Sequence, residues 1–218
     1  MKLLFAFIFL PWFCSCSVRQ QVDGEIRLQV TGLNKYVSPS VSELFSSIQV
    51  IPLETQDSCL LMNLEKVVPC KDGYFVFDNL RPALYLFDES GKFVQEIGRK
   101  GNGPGEFQLL ADFMIDEKEG RITLLSQYGF LLEYDWDGNY LDKITLPVKP
   151  NYYSVASLDD GQHWGLWSCV DTEEDGIGIV DRHSHALVNG YWNNDRILDM
   201  DLMRPFYSYK EIIYFVSA

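Results

Sequence analysis

Landmarks in this sequence recur at an offset of 47 residues, and a chain that repeats at that spacing is a series of like supersecondary units before it is anything else. Gly73 maps onto Gly120, Phe87-Asp88 onto Tyr134-Asp135, Gly91 onto Gly138, Phe93 onto Tyr140 and Ile97 onto Ile144. The first unit reads as four short strands. Leu64 to Val68 is the first, and Lys71-Asp72-Gly73 turns it into Tyr74 to Phe77. Asn79 to Pro82 breaks the chain before Leu84 to Phe87, and Asp88 to Gly91 leads into Phe93 to Ile97. Tight turns of this kind join antiparallel neighbours. The nearly unbroken apolar middle strands require burial on both faces, as when sheets stack on sheets. A looser third unit holds Gly161, Trp164 to Trp167 and Ile177 to Asp181, its middle connection lengthened by Asp171 to Asp175. A fourth starts with Pro205 to Tyr209 and Ile212 to Val216.

Four-stranded units at this period are what a β-propeller is made of. Helical patterning is nearly absent; only Ser38 to Ser47, with Ser38 and Ser40 as caps, offers a helical turn. The expected fold is therefore all-β, a partial β-propeller of four-stranded antiparallel blades over residues 48–218. Ile48 to Leu53 is expected to be a strand without a hairpin partner beside it. Gly98 to Phe107, with four glycines before Glu106, follows one strand and precedes another. Its order G-x-x-G-x-G-P-G fits neither the dinucleotide fingerprint nor the P-loop, and Pro104 removes a backbone donor. It reads as a structural turn that uses glycine's access to positive φ.

These residues carry a resemblance. Ile51-Pro52-Leu53-Glu54, Leu86-Phe87-Asp88-x-x-Gly91-Lys92-Phe93 and Gly98-x-x-Gly101-x-Gly103-Pro104-Gly105-Glu106-Phe107 together resemble the six-bladed β-propeller lipoproteins of anaerobic Gram-negative bacteria, relatives of NHL-repeat propellers. The resemblance implies six blades, with Ile48 to Leu53 completing the last. From Asn63 to Ala218 there is room for little more than three repeats, so the chain is expected to be truncated and to expose unpaired strand edges.

Residues 1–15 read as an export signal: Lys2 is charged, Leu3 to Phe13 is apolar, and small polar residues follow. That apolar run is too short to span a bilayer. Cleavage before Cys16 would follow Phe13-Cys14-Ser15, which resembles a bacterial lipoprotein box with Cys16 as the lipid attachment site. Residues 16–47 would then be a lipidated N-terminus and tether, holding the domain at a membrane surface on the periplasmic or outer-membrane side. Plain secretion and an uncleaved anchor are the competing readings. With 31 acidic against 18 basic residues and a formal net charge of −13, the chain would be repelled by nucleic acid, which is excluded as a partner. Cys59, Cys70 and Cys169 show no C-x-x-C spacing. A Cys59–Cys70 bridge is open in an oxidising compartment, but small buried apolar side chains are the preferred reading.

Because strands alternate in direction, the second-to-third and fourth-to-first connections of each blade emerge on one face. That face would carry Asn79, Arg81, Arg99, Lys100, Asn102, Glu106, Tyr128 and the acidic residues Asp171, Glu173, Glu174 and Asp175. Irregular, mixed-charge loops suit recognition better than the tight turns at Asp72-Gly73 and Ser90-Gly91. The search for chemistry returns little. His183-x-His185 sits at a turn without a third ligand, and His163 stands alone. No nucleophile elbow or H-E-x-x-H appears. Asp171 to Asp175 lacks calcium-loop spacing. The aromatics Tyr152, Tyr153, Trp164, Trp167, Tyr191 and Trp192 more often fill wedges between blades than stack on sugars. No cofactor, metal or catalytic residue is assigned. The reading is a non-catalytic envelope lipoprotein whose propeller binds an unidentified ligand or envelope protein. The alternatives are an NHL-like propeller enzyme (lyase or lactonase type, with a metal on the axis fed by first-strand residues such as Asp112, Asp116 and Asn151) or a truncated product without function.

Overall fold

Apolar runs broken by glycine and aspartate turns fold into successive antiparallel meanders. A computed structural model describes residues 40–147, 152–158, 161–168, 175–193, 206–209 and 212–215. The first blade is β1 (Leu64–Cys70), β2 (Gly73–Asp78), β3 (Ala83–Phe87) and β4 (Phe93–Ile97), hydrogen-bonded in chain order. A short parallel pair, β5 (Arg99–Lys100) and β6 (Glu106–Phe107), closes the glycine-rich connection. The second blade is β7 (Leu110–Asp116), β8 (Arg121–Ser126), β9 (Phe130–Asp135) and β10 (Tyr140–Thr145). The third is β11 (Tyr152–Leu158), β12 (His163–Ser168), β13 (Asp175–Asp181) and β14 (Leu187–Asn193), and a fourth begins with the hairpin β15 (Phe206–Tyr209) and β16 (Ile212–Phe215). The protein is all-β with four-stranded antiparallel blades, as the repeat requires.

One device makes the third-to-fourth turn in every blade. The Asp88 carboxylate accepts from the Ser90 and Lys92 amides at 2.8 and 3.0 Å, and Asp135 accepts from Asn139 N at 2.8 Å. Asp181 accepts from His183 and Ser184 N at 3.2 and 2.7 Å. An aspartate that bonds its own following backbone mimics a turn and fixes where the strand reverses. Bulges repeat as well. The innermost strand of each four-stranded blade slips register once, between Leu64 and Lys66, Leu110 and Asp112, and Tyr152 and Ser154. Each outer strand slips past one exposed apolar residue, Val94, Leu141 or Val188. Bulges at a sheet edge break the regular row of backbone groups that would otherwise pair with another chain.

The 47-residue offset holds for the third and fourth strands but not the second. Gly73 is already the first residue of β2, whereas Gly120 precedes β8, so Val76 opposite Tyr85 corresponds to Leu124 opposite Leu132. The second blade's first turn, 117–120 against 71–72, is two residues longer, and the matching glycines are turn landmarks rather than ladder equivalents.

Blades pack face to face. Phe75, Phe77, Leu84 and Leu86 of the first meet Phe113, Ile122, Leu124, Leu132 and Tyr134 of the second. Leu125, Leu131 and Ile144 of the second meet Val155, Trp164, Leu166 and Val180 of the third. Fully burying one such side chain contributes about 1.5–3 kcal/mol. The preferred reading of the aromatics holds for Trp164, which is buried between blades; Tyr153 and Trp167 are half-buried and lie 6.3 Å apart. Side chains of Tyr152, Tyr191 and Trp192 lie outside the described residues.

The other face of the first blade, Val76, Ala83, Tyr85 and Phe87, is covered by Leu53, Cys59 and Leu61. The expected strand Ile48 to Leu53 does not form: it has no ladder partner among the described residues, and Ile48 and Val50 are 71% and 85% exposed. Instead Glu54 clips onto the first blade, its N–H donating to Gly91 O at 2.7 Å and its carboxylate accepting from Phe93 N at 2.9 Å. A Cβ at Gly91, whose φ is +84°, would collide with the Pro52 carbonyl oxygen. The two motifs Ile51-Pro52-Leu53-Glu54 and Asp88-x-x-Gly91-Lys92-Phe93 are thus the halves of one clasp. Cys59 and Cys70 are free thiols, Cys59 buried and Cys70 half-buried, in line with the apolar reading; Cys169 lies outside the described residues.

The chain divides into two units, Met1–Ile48 and Gln49–Ala218. In the first, the expected helical turn is α1 (Val41–Leu44), with Ser40 as N-cap and the Glu43 carboxylate accepting from Ser40 N at 2.8 Å. Ser38 and the signal and lipid-attachment residues, Cys16 included, lie outside the described residues. Among the described residues no helix is long and apolar enough to cross a membrane.

Candidate functional site

The meander puts the loop 79–82, the connection 98–109 and the loop 127–129 at the same end of their blades. The second strands of the first two blades end in buried polar side chains that fix the loops after them. Asp78 accepts from Leu80 N and Arg81 N at 2.9 and 3.0 Å, and from Asn63 N at 3.2 Å. Ser126 Oγ accepts from Tyr128 N at 3.3 Å. The loops are held by their backbones, and Leu80, Arg81 and Tyr128 stand exposed on them.

Asn79 lies in a polar cluster, donating to Glu65 Oε2 at 2.8 Å and accepting from Asn63 Nδ2 at 2.8 Å. The glycine-rich connection closes on Glu106. Its carboxylate accepts from Gly103 N at 2.7 Å and Arg99 Nε at 2.6 Å, and these two partners, the Gly103 amide first, hold its pKa below the usual glutamate value. A Cβ at Gly101 would run into the same carboxylate. Asn102 Oδ1 accepts from Gln108 Nε2 at 2.8 Å, and the Tyr134 hydroxyl donates to Gly105 O from beneath. The stretch is a structural turn, as its spacing implies, and it consumes Arg99, Asn102 and Glu106. Lys100 remains exposed. Asp171, Glu173 and Glu174 lie outside the described residues; Asp175 opens β13 opposite Asn193.

Of the first-strand residues weighed for catalysis, Asp112 is buried and accepts from Lys66 Nζ at 2.8 Å, Ser154 Oγ at 2.9 Å, and the amides of Phe113 and Val155 at 2.8 and 3.0 Å. Lys66, Asp112 and Ser154 each follow the bulge of an innermost strand, so one carboxylate ties three blades together. Asp116 accepts from Glu119 N at 3.0 Å and lies 3.4 Å from Arg182, which also approaches Glu133 at 3.8 Å. Asn151 lies outside the described residues. His183 and His185 fall at the β13–β14 turn; His185 stacks on Trp164 with centroids 6.0 Å apart, and His163 Nε2 lies 3.8 Å from Asp181. Among the described residues no three His, Cys, Asp or Glu side chains converge as a metal site.

Sequence reasoning did not find the cleft of about 310 Å³ lined by Gln49, Pro69, Cys70, Gly73, Tyr74 and Glu89. It lies among the tight turns, at the opposite end of the blade from the loops above. Burial raises the Cys70 pKa, helped by the negative charges of Glu117 and Asp72, so this thiol is held protonated and is a poor nucleophile.

Stacked four-stranded meanders with bonded innermost strands define a β-propeller protein with preformed loops at one end. The chain belongs to the family described as Domain of unknown function (DUF4934), which matches residues 25–218. It is similar in structure to a Bacteroides fragilis protein described as exported, with 27% identity over 66% of this chain and a TM-score of 0.58. The match covers 41% of that protein, so the chain spans about two fifths of its length. Further similar structures are the WD40 β-propeller domain of Doa1 (13% identity, 61% of this chain and 40% of that one, TM-score 0.46) and the Pan2 WD40 domain of Neurospora crassa (13%, 59% and 36%, TM-score 0.43). No curated protein matches.

Proposed function

We propose that this protein is an exported, lipid-anchored propeller that binds a ligand or protein partner in the cell envelope through its loop end. The observation that carries the reading is the contrast between fixed loop backbones and outward side chains. Asp78, Ser126 and Glu106 hold the loops, while Leu80, Arg81, Lys100 and Tyr128 stay exposed. Side chains presented on a rigid scaffold lose little entropy when a partner arrives. Export is supported by the likeness to the Bacteroides fragilis protein, and attachment at Cys16 by the apolar leader before it. The acidic residues Asp171, Glu173, Glu174 and Asp175 are included in the proposed surface from strand order in the sequence alone; the first three lie outside the described residues.

The binding reading is favoured over an axial enzyme because Asp112, the buried carboxylate of an innermost strand, already accepts four hydrogen bonds. A general base needs an open lone pair toward substrate. The test places a photo-crosslinking residue at Tyr128 or Lys100, and at Val94 or Leu141 on the outer strands, in cells. Crosslinks at the loop end alone are expected; equal crosslinking from the outer strands overturns the assignment. Cys16→Ser should move the protein from the membrane to the soluble fraction, and an unchanged membrane fraction removes the anchor.

A further inference from the structure

The chain contains two Asn-Gly dipeptides. In such a pair the asparagine side chain is open to attack by the backbone nitrogen that follows it, because glycine has no Cβ to hinder the approach. The two lie in opposite settings. Asn189–Gly190 is inside β14, where both residues are in the ladder with β13, opposite Ile179 and Gly178. Asn102–Gly103 is exposed in the bend between β5 and β6, where no ladder holds the backbone extended. Side chains hold the two reacting groups there instead. Gly103 N donates to Glu106 Oε2 at 2.7 Å, and Asn102 Oδ1 accepts from Gln108 Nε2 at 2.8 Å. Arg99 Nε, 2.6 Å from Glu106 Oε1, keeps the carboxylate in place.

We propose that Asn102 is a site of spontaneous covalent modification, closing onto Gly103 N to give a succinimide, and that Glu106 is the residue that restrains it. In ring closure the Gly103 nitrogen gives up its proton and bonds to Asn102 Cγ, while Nδ2 takes up a proton and leaves as ammonia. Water then opens either carbonyl of the ring, giving aspartate or isoaspartate. The Glu106 carboxylate opposes the first step in two ways. It keeps a charge-assisted hydrogen bond only while the Gly103 N–H keeps its proton, and its negative charge disfavours the nitrogen anion that must form. Reaction therefore waits on a local opening in which Glu106 lets go. Either product puts a second carboxylate near that of Glu106. Isoaspartate also lengthens the main chain by a methylene, inside the bend that the Gly101 N–H closes on Phe107 O at 2.9 Å. The modification thus changes both charge and shape on the stretch that presents Lys100.

The purified 218-residue chain, its Glu106→Ala variant and a blocked Arg-Lys-Gly-Asn-Gly-Pro-Gly peptide are held at mildly alkaline pH. Conversion of Asn102 is followed by peptide mass spectrometry, with the aspartate and isoaspartate forms separated by chromatography. The chain is expected to convert roughly tenfold or more slowly than the peptide, the effect of one charge-assisted hydrogen bond on the open population. Glu106→Ala is expected to approach the peptide's rate. Arg99→Met, an exchange at an exposed position, carries the test if Glu106→Ala does not fold: it leaves the carboxylate but loosens it, and its rate is expected to fall between the two. Asn189, held in β14, is expected to convert more slowly than Asn102 in every folded form. The proposal is overturned by a chain that converts at Asn102 as fast as the peptide, by conversion at Asn189 ahead of Asn102, or by Glu106→Ala and Arg99→Met variants that both stay at the wild-type rate.

Discussion

Replacing Asp112 by alanine removes the acceptor that joins three innermost strands. Its carboxylate has no exposed surface and takes hydrogen bonds from Lys66 of β1, Phe113 of β7, and Ser154 and Val155 of β11. The variant leaves the Lys66 ammonium, whose side chain is only 25% exposed, with one fewer partner, though Phe113 O still accepts from it at 2.6 Å. It also strips the Val155 amide of its acceptor. Breaking a buried pair from one side costs about 3–5 kcal/mol, and in a domain of this size each kcal/mol moves Tm by about 2–4 °C. Urea unfolding followed by far-UV circular dichroism reads the loss directly. The double variant Asp112→Ala/Lys66→Met should recover part of it, because no ammonium is then stranded; a double-mutant cycle isolates that coupling. A loss of less than about 1 kcal/mol for Asp112→Ala, the level of an ordinary surface substitution, would refute the view that this carboxylate binds the blades together.

Gly91→Ala forces a side chain into the left-handed region and against the Pro52 carbonyl. Left-handed backbone alone costs roughly 1–2 kcal/mol; the clasp should loosen and the buried Cys59 thiol become reactive to a maleimide. Asp88, Asp135 and Asp181 have pKa values lowered first by side-chain hydrogen bonds from Ser90, Asn139 and Ser184 respectively. A lowered folded-state pKa gives stability that is present above the ordinary aspartate value of 3.8 and lost as pH falls through the folded value. The triple variant to asparagine should therefore show a flatter Tm–pH profile below about pH 4. Tyr134 is held protonated well above the usual tyrosine range, mainly by burial and also by the Tyr140 and Glu106 charges. Tyr134→Phe should cost about 0.5–1.5 kcal/mol for the lost bond to Gly105 O, and ultraviolet titration to pH 11 should show the same number of ionising tyrosines as wild type.

Strand order and blade count were legible because the apolar runs of β2, β3, β8 and β9 are short, bounded by glycine or aspartate, and repeated. The helical turn was legible because Ser40 offers an N-cap to the residues after it. What escaped depends on contacts far along the chain. Ile51-Pro52-Leu53-Glu54 has strand composition, yet its fate is set by Gly91 and Phe93, nearly forty residues later. By sequence Glu106 reads as a recognition residue, but its carboxylate is the internal acceptor of its own loop; the signal lies in Gly101 and Gly103, which leave room for it. Lys66, Asp112 and Ser154 are structural equivalents whose unequal spacing hides behind bulges and connections of different length. The cleft has no local signature, because its lining comes from separate stretches of chain between Gln49 and Glu89.

The blades repeat their backbone device while changing the chemistry of their seams. Between the first and second, the contact is mainly aromatic: Phe75 meets Trp136 edge-on at 5.5 Å, and the indole N–H finds Asp72. Between the second and third, the corresponding end is ionic, with Arg182 3.4 Å from Asp116 and 3.8 Å from Glu133. Repeats that kept one seam chemistry could pair in any order, whereas an aromatic seam beside an ionic one penalises a misplaced blade with a stranded charge. The turn aspartates can therefore stay constant, because they shape each blade alone, while the residue after each of them specifies its neighbour.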